Sequence, residues 1–597
     1  MDRLMPLYSN KPTSPLIKKR IASLVAPLLV FSVSSAVAQQ SDYIEPEQAS
    51  GLHITASQTG KEFMLATANP LATQAGFDVL AKGGSAIDAM VSVQAVLGLV
   101  EPQSSGLGGG AFLVYYDAKN KKLTTYDGRE TAPSNATPEL FMENGKPLAF
   151  YDAVVGGRSV GTPGTVKLMY DTHQKYGKQP WESLLEPAIT LAKEGFSVSP
   201  RLAGAIADDK ERLSRYTDTQ QYFFTPQGAP LPAGYLLKNP EYAETLSLLA
   251  AKGADAFYTG SLAESIAKRV QTAKGNPGVL SKEDLANYNI IERAPVCAPY
   301  LSYEVCGMGP PSSGALTVGQ ILSMTTSFDL KQWGPNHPNS WQVIGDATQL
   351  AFADRGLYMA DSDFVTMPVG LLDANYLAER ARLITPGTPL SKAEPGQPTW
   401  KDKAVALAQD QAIELPSTSH FVIIDNKGNI VSMTTTIENG FGSRLMTNGF
   451  LLNNELTDFS FVPKADGKLV ANRVEPNKRP RSSMSPTIVM KQGQPVLAIG
   501  SPGGSRIISY VSNALIRHLL WDEPLQDSLN SPHLINRFGT YDIEEGPSAD
   551  LLATSLQEMG YKVNRRALNS GLHAIKITPD QLIGAADPRR EGVVMGR

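Results

Sequence analysis

Two cysteines in 597 residues are too few for a disulfide-built scaffold, and with no histidine at matching spacing Cys297 and Cys306 do not make a four-ligand metal site. Beyond the N-terminal region no run reaches the roughly 20 apolar residues of a membrane-spanning helix. Basic residues do not outnumber acidic ones, 54 against 58, and the one dense basic cluster, Lys478-Arg479-Pro480-Arg481, has three charges among Asn, Pro and Ser. That balance argues against nucleic acid as a partner. The chain is 42% hydrophobic, 19% charged and 8% aromatic, ordinary values that exclude disordered and collagen-like classes.

What is present begins with Lys18-Lys19-Arg20, an apolar run from Ile21 to Val33, and small residues at cleavage spacing in Ala36-Val37-Ala38. The run is too short to span a bilayer, so residues 1–38 read as a removed export signal. The protein is therefore expected to be exported, periplasmic or secreted, with no membrane span after signal removal. Losing five Lys/Arg and one Asp with the signal leaves 49 basic and 57 acidic residues, a formal net charge of −8. In an oxidising compartment Cys297 and Cys306 can bridge across a Tyr300-Leu301-Ser302-Tyr303 hairpin; two separate buried thiols is the other reading.

Along the chain, Gln39 to Gly60 reads as a linker, and Lys61 to Ala68 as a buried strand. Pro70 opens a helix that Gly83-Gly84 closes. Ser85 caps a second helix, deeply buried along Ile87, Met90, Val91, Ala95 and Val96. The glycine run Gly106 to Gly110 lacks a Gly-Lys-Ser/Thr ending and precedes a strand, so it predicts a tight turn rather than a phosphate cradle. Residues 111–126 form a hairpin that delivers Asp127-Gly128-Arg129. On local sequence alone Arg129 reads as a surface ion pair. Trp181 to Glu194 and Leu316 to Phe328 have helical spacing. Residues 386–416, rich in Pro, Gly, Gln and Lys, read as a long exposed segment.

Immediately after that segment, Thr418 opens a long apolar strand to Asp425, and the turn 426–429 leads into Ile430 to Thr436. Pairing Asp425 with Ile430 sets Ser419 opposite Thr436, within one residue, and so brings Thr436 beside Thr418. A threonine is a weak nucleophile unless a base adjoins it, and a free α-amine on the same residue supplies one. Such an amine titrates at about 7.7–8.0. His420 is then left with a structural role. From these facts alone Thr418 would still pass as an ordinary strand residue.

Further motifs change its standing. They are Thr434-Thr435-Thr436-Ile437-Glu438-Asn439-Gly440-Phe441-Gly442-Ser443, Asn453-Asn454-Glu455-Leu456-Thr457-Asp458, Ser482-Ser483-Met484-Ser485-Pro486-Thr487 and Gly500-Ser501-Pro502-Gly503-Gly504-Ser505-Arg506. With Asp127-Gly128-Arg129, Pro310-Pro311-Ser312-Ser313-Gly314, Ala353-Asp354-Arg355 and Ala586-Asp587-Pro588-Arg589-Arg590, in this order, the chain resembles the γ-glutamyltranspeptidases (glutathione hydrolases).

The resemblance implies an α+β fold, the four-layer αββα sandwich of the N-terminal-nucleophile hydrolases. It implies a precursor that cuts itself between Ser417 and Thr418 into a large chain, 39–417, and a small chain, 418–597, which remain together as one structural unit. It assigns Thr418 as nucleophile, its freed amine as base, and Thr436 as its hydrogen-bond partner. Gly503 and Gly504 match the oxyanion hole, Arg129, Ser482 and Ser483 the binders of the substrate α-carboxylate, and Glu455 and Asp458 those of its α-ammonium. The implied reaction transfers the γ-glutamyl group of glutathione or a related amide to Thr418 and then to water or an amino acid or peptide acceptor. No metal or organic cofactor is required.

The sequence departs from the family pattern twice. Glu438 stands where many members have Asn, which would give the ammonium end three acids. Val462 to Glu475 lacks a Tyr or Trp to form the aromatic gate of some members, so no full lid is expected. A glutaryl-type cephalosporin acylase of the same family and a non-catalytic exported binding protein are the alternative functions.

Overall fold

A strand with apolar side chains on both faces must be covered on both sides. Along the strand that opens at Thr418, Phe421 and Ile423 join one buried cluster, while Val422 and Ile424 join another. That alternation sets the layering of the molecule. The computed structural model describes residues 56–597 apart from Ile413 and Pro416. The expected export signal and most of the expected linker lie outside the described residues.

Two seven-stranded sheets carry the fold. In chain order their strands are β1 (Gln58–Gly60), β2 (Met64–Thr67), β3 (Gly110–Asp117), β4 (Lys122–Gly128), β5 (Ile291–Arg293), β6 (Val296–Tyr300) and β7 (Tyr303–Gly307). They continue as β8 (Thr418–Ile424), β9 (Ile430–Thr436), β10 (Thr487–Lys491), β11 (Gln494–Gly500), β12 (His573–Ile577), β13 (Leu582–Ala586) and β14 (Val593–Gly596). One sheet runs β14-β2-β8-β9-β3-β4-β5, the other β1-β13-β12-β11-β10-β7-β6. Met64, Val114, Val422, Ile424 and Ile430 of the first face Ile488, Ala498 and Ile575 of the second across a shared apolar layer.

Helices cover the two outer faces, giving the expected four-layer αββα sandwich. Against the first sheet lie α1 (Pro70–Ala81), α2 (Ala86–Val100) and α3 (Trp181–Glu194). Against the second lie α4 (Gly314–Thr325), α5 (Pro338–Tyr358) and α6 (Ile507–Leu515). The caps follow from sequence: Asn69 accepts from Leu71 N–H ahead of Pro70, and Ser85 forms a capping box with Asp88. Helix α3 spans the expected residues despite Pro187, because burial of Leu184, Leu185, Ala188, Ile189 and Ala192 outweighs the lost backbone bond. Helix α4 begins two residues before the expected Leu316 and stops at Thr325, since the Ser312 hydroxyl already accepts from Gly314 N–H.

Cys297 and Cys306 sit directly opposite each other on β6 and β7 and are bridged. The stretch 386–416 departs from expectation. Residues 391–406 are mostly exposed, but Leu407, Ala408, Asp410 and Leu415 are buried. Leu407–Ala408 adds a parallel strand to Lys468–Val470, itself paired with Lys464–Ala465. Among the described residues no helix is long and apolar enough to cross a membrane.

Candidate active site

Strands β8 and β9 place the two threonines. Thr418 pairs with Thr436 across the antiparallel ladder, one residue from the expected Ser419 pairing. The shift comes from Asp425: its Oδ1 accepts from the N–H groups of Lys427 and Asn429, so it belongs to the turn and not to the ladder. Thr418 Oγ1 lies 3.3 Å from Thr436 Oγ1. Thr436 Oγ1 also donates to the carbonyl oxygen of Ser417 at 2.9 Å and accepts from Glu438 N–H at 2.8 Å. The turn at Gly109 packs so tightly here that a Cβ would lie 2.0 Å from Thr436 O.

Ser417 and Thr418 are both buried. Ser417 Oγ donates to Gln103 O at 2.6 Å. Arg590 Nη1 donates to Thr418 O at 3.0 Å, and Ser419 Oγ to Glu101 at 2.9 Å. The first residues of β8 are thus held on several sides. His420 is fully buried, its Nδ1 2.9 Å from Thr434 Oγ1, and burial with the neighbouring His573 keeps it neutral. It fills the structural role expected of it.

A small cavity opens at Thr418. Thr436, Arg129, Glu438, Glu455, Asp458, Ser482, Ser483 and Gly504 line it with the threonine. Of the residues to which the resemblance assigns catalytic or substrate-binding roles, Gly503 alone is outside the lining; it packs beneath the Tyr510 ring. Gly504 has φ +58°, and a Cβ there would lie 2.9 Å from the carbonyl of Leu415, so a side chain is excluded on two grounds.

Arg129 is 1% exposed, not a surface ion pair. Its guanidinium pairs with Glu455 and Asp458 and donates to the carbonyls of Pro480 at 3.2 Å and Arg481 at 2.8 Å. Glu455 and Asp458 share one face because a single 3-10 turn, Glu455–Asp458, sets them three residues apart. Glu438, in the left-handed region at φ +75°, accepts from Asn454 Nδ2 and from Leu415 N–H. The site holds more buried acids than Arg129 can neutralise. Burial and the charge of Glu455 push the Glu438 carboxyl up to about 8. Burial outweighs Arg129 at Glu455, and burial with the Glu438 charge raises Asp458 well above the usual carboxylate range. Such a cluster is suited to a cationic group.

Ser482 and Ser483 lie beside the Pro311 turn, with Ser482 N–H donating to Pro311 O at 3.1 Å. Ser483 Oγ donates to Glu414 and accepts from Arg355 Nη2 at 2.8 Å. Glu414, Leu415 and Arg355 carried no expected role. Ala353-Asp354-Arg355 was visible as a motif without a task, and Glu414 fell in the stretch read as exposed. Among the described residues no group of three or more His, Cys, Asp or Glu is arranged to hold a metal ion.

The family profile described as Gamma-glutamyltranspeptidase matches residues 72–597. The chain belongs to this family. It is 39% identical to a glutathione hydrolase proenzyme of Bacillus subtilis (strain 168), over 90% of this chain and 92% of that one. It is 35% identical to the glutathione hydrolase proenzyme of Escherichia coli (strain K12), over 89% and 90%. Among solved structures it is similar to the cephalosporin acylase of Bacillus halodurans, with TM-score 0.81 and 26% identity, covering 93% of this chain and 99% of that one. The family match runs through both Ser417 and Thr418, and every lining residue named above falls inside it.

Proposed function

We propose that this member of the γ-glutamyltranspeptidase family cuts itself between Ser417 and Thr418 and then acts as a γ-glutamyl transferase and hydrolase through Thr418. One observation carries the reading: the Thr418 hydroxyl and the Ser417 carbonyl meet at Thr436, at the mouth of a cavity with a cation and several acids.

In the first reaction Thr418 Oγ1 attacks the Ser417 carbonyl carbon. The Ser417–Thr418 C–N bond breaks, the nitrogen takes a proton, and an ester joins the two residues. Water then cleaves the ester, leaving a carboxylate on Ser417 and a free amine on Thr418. The Thr436 hydroxyl stabilises the oxygen on which charge develops. The products are a large chain ending at 417 and a small chain, 418–597, held together by shared sheets.

In the second reaction the freed amine accepts the Thr418 hydroxyl proton as Oγ1 attacks a γ-glutamyl carbonyl, and returns it to the leaving amine. The γ-glutamyl ester on Thr418 is resolved by water or by an amino acid or peptide amine. Arg129, Ser482 and Ser483 receive the substrate carboxylate. Glu438, Glu455 and Asp458 receive its ammonium, and the N–H groups of Gly503 and Gly504 the oxyanion. Glutathione is a donor of this chemistry. The expected export signal, 1–38, puts the reaction outside the cytoplasm.

A glutaryl-type acylase is the second reading, favoured by the structural likeness to a cephalosporin acylase. Purified protein on a denaturing gel should show two fragments, the smaller beginning Thr418-Ser419-His420-Phe421, and Thr418→Ala should remain one band. Persistence of one band in the parent protein, or cutting of the Ala variant, would reject the self-processing step. The cut protein should turn over γ-glutamyl nitroanilide faster than glutaryl nitroanilide; the reverse order would favour the acylase.

A further inference from the structure

Arg129, given the carboxylate-binding task above, is already engaged with two carboxylates and two carbonyls. A second arginine meets a carboxylate in the same cavity. Arg355, buried near the end of α5, is steadied by Nε donating to Ser313 Oγ at 2.7 Å. Its Nη2 reaches one carboxylate oxygen of Glu414 and the Ser483 hydroxyl. Arg481 Nη2 is 3.5 Å from the same Glu414 oxygen, and Ser483 Oγ donates to the other. Both oxygens of one carboxylate are therefore held by two arginines and a serine of the substrate pocket.

Glu414 and the next residue, Leu415, both line that pocket. Leu415 N–H donates to Glu438 at the acid end, and the Leu415 carbonyl lies against Gly504. Glu414 is three residues before Ser417, on the acyl side of the proposed cut, the side on which a substrate's acyl group must lie. Burial alone would raise the Glu414 carboxyl, but Arg355, Arg481 and the Ser483 hydroxyl override it and hold it down to about 2. Arg481 has Asp410 at 2.8 Å as its other partner. Glu414 is the one salt-bridge partner of Arg355 among the described residues, so its departure leaves a buried guanidinium without a carboxylate, and that calls for another anion.

We propose that Arg355, with Arg481, binds the carboxylate of the acyl donor, and that in the uncut chain Glu414 occupies this seat as an internal ligand that must withdraw before substrate enters. The substrate half rests on the γ-glutamyl reading above; the Glu414 half does not. Arg355 acts on binding of the donor's carboxylate, not on bond breaking.

Two donors separate these effects: γ-glutamyl nitroanilide, and γ-aminobutyryl nitroanilide, which lacks the α-carboxylate. In cut enzyme, Arg355→Gln should lower kcat/KM for the first at least about tenfold, through KM, and leave the second within about threefold, as expected for a lost charge-assisted hydrogen bond. The ratio is read within one sample, so a loss of folded protein cancels. Equal losses on both donors, or none, would overturn the assignment. If self-cut parent enzyme turns over neither donor, the γ-glutamyl reading fails and the substrate half with it. The Glu414 half is judged on uncut Thr418→Ala protein. Adding Glu414→Gln should speed limited proteolysis within residues 401–415 several-fold, and an unchanged rate would overturn it.

Discussion

The Thr436 hydroxyl donates to the Ser417 carbonyl oxygen at 2.9 Å while lying 3.3 Å from the Thr418 hydroxyl. One side chain thus touches both the hydroxyl proposed as the nucleophile and the carbonyl it would attack. Thr436→Val should slow self-cleavage by about 10²-fold, the usual effect of losing one oxyanion donor. Thr436→Ser should retain most of the rate. The fraction of uncut band against time measures both, and a Val variant that cuts at the parent rate would remove Thr436 from the reaction.

Glu438 gives a pH test. Its carboxyl is raised from 4.5 to about 8 in the folded protein, so its contribution to stability is complete below its unfolded pKa and is lost as pH rises through about 8. In the uncut Thr418→Ala background, Glu438→Gln should gain stability over its parent as pH goes from about 5 to about 8.5, on the order of a few kcal/mol at the alkaline end. Melting temperatures of the pair across that range decide it; a constant gap would mean Glu438 ionises normally.

Gly504 tests the close approach of Leu415. Gly504→Ala adds a Cβ 2.9 Å from the Leu415 carbonyl at a φ of +58°. The strain should cost about 1–3 kcal/mol in the uncut chain and slow self-cleavage at least about tenfold. Denaturant midpoints and gel kinetics report the two effects, and a variant matching its parent in both would mean that the loop tolerates a side chain.

The Cys297–Cys306 bridge closes a short loop on a hairpin at the edge of the second sheet, where Cys297 is exposed. Replacing both with Ser should cost about 2–3 kcal/mol or less, because the loop is short and β7 is also paired to β10. γ-Glutamyl turnover at room temperature should be unchanged, since neither cysteine lines the cavity. A loss of turnover in folded protein would tie the hairpin to the site.

Regular elements were legible where burial leaves a periodic mark. The helix at Trp181 carries its apolar stripe openly, and the hairpin that sets Thr436 beside Thr418 lies within the one-residue margin expected of it, the offset arising because Asp425 caps its own turn. The tail before Thr418 was misread for a physical reason. Two of its acids are held by ionic and polar partners, Asp410 by Arg481 and Asn472, and Glu414 by Arg355 and Ser483. Such contacts join distant parts of the chain and leave no period to read. Arg129 was misjudged alike, because its burial depends on Glu455 and Asp458, far along the chain. Most of the site's residues were visible as motifs; the interactions that occupy them were not.

Strand β2, early in the chain, is flanked by β8 on one side and β14 on the other. Its second neighbour, Val593–Gly596, is synthesised long after it. A nascent chain emerging from the ribosome therefore cannot complete this sheet until its last strand has been made, and contacts so distant in sequence make assembly slow.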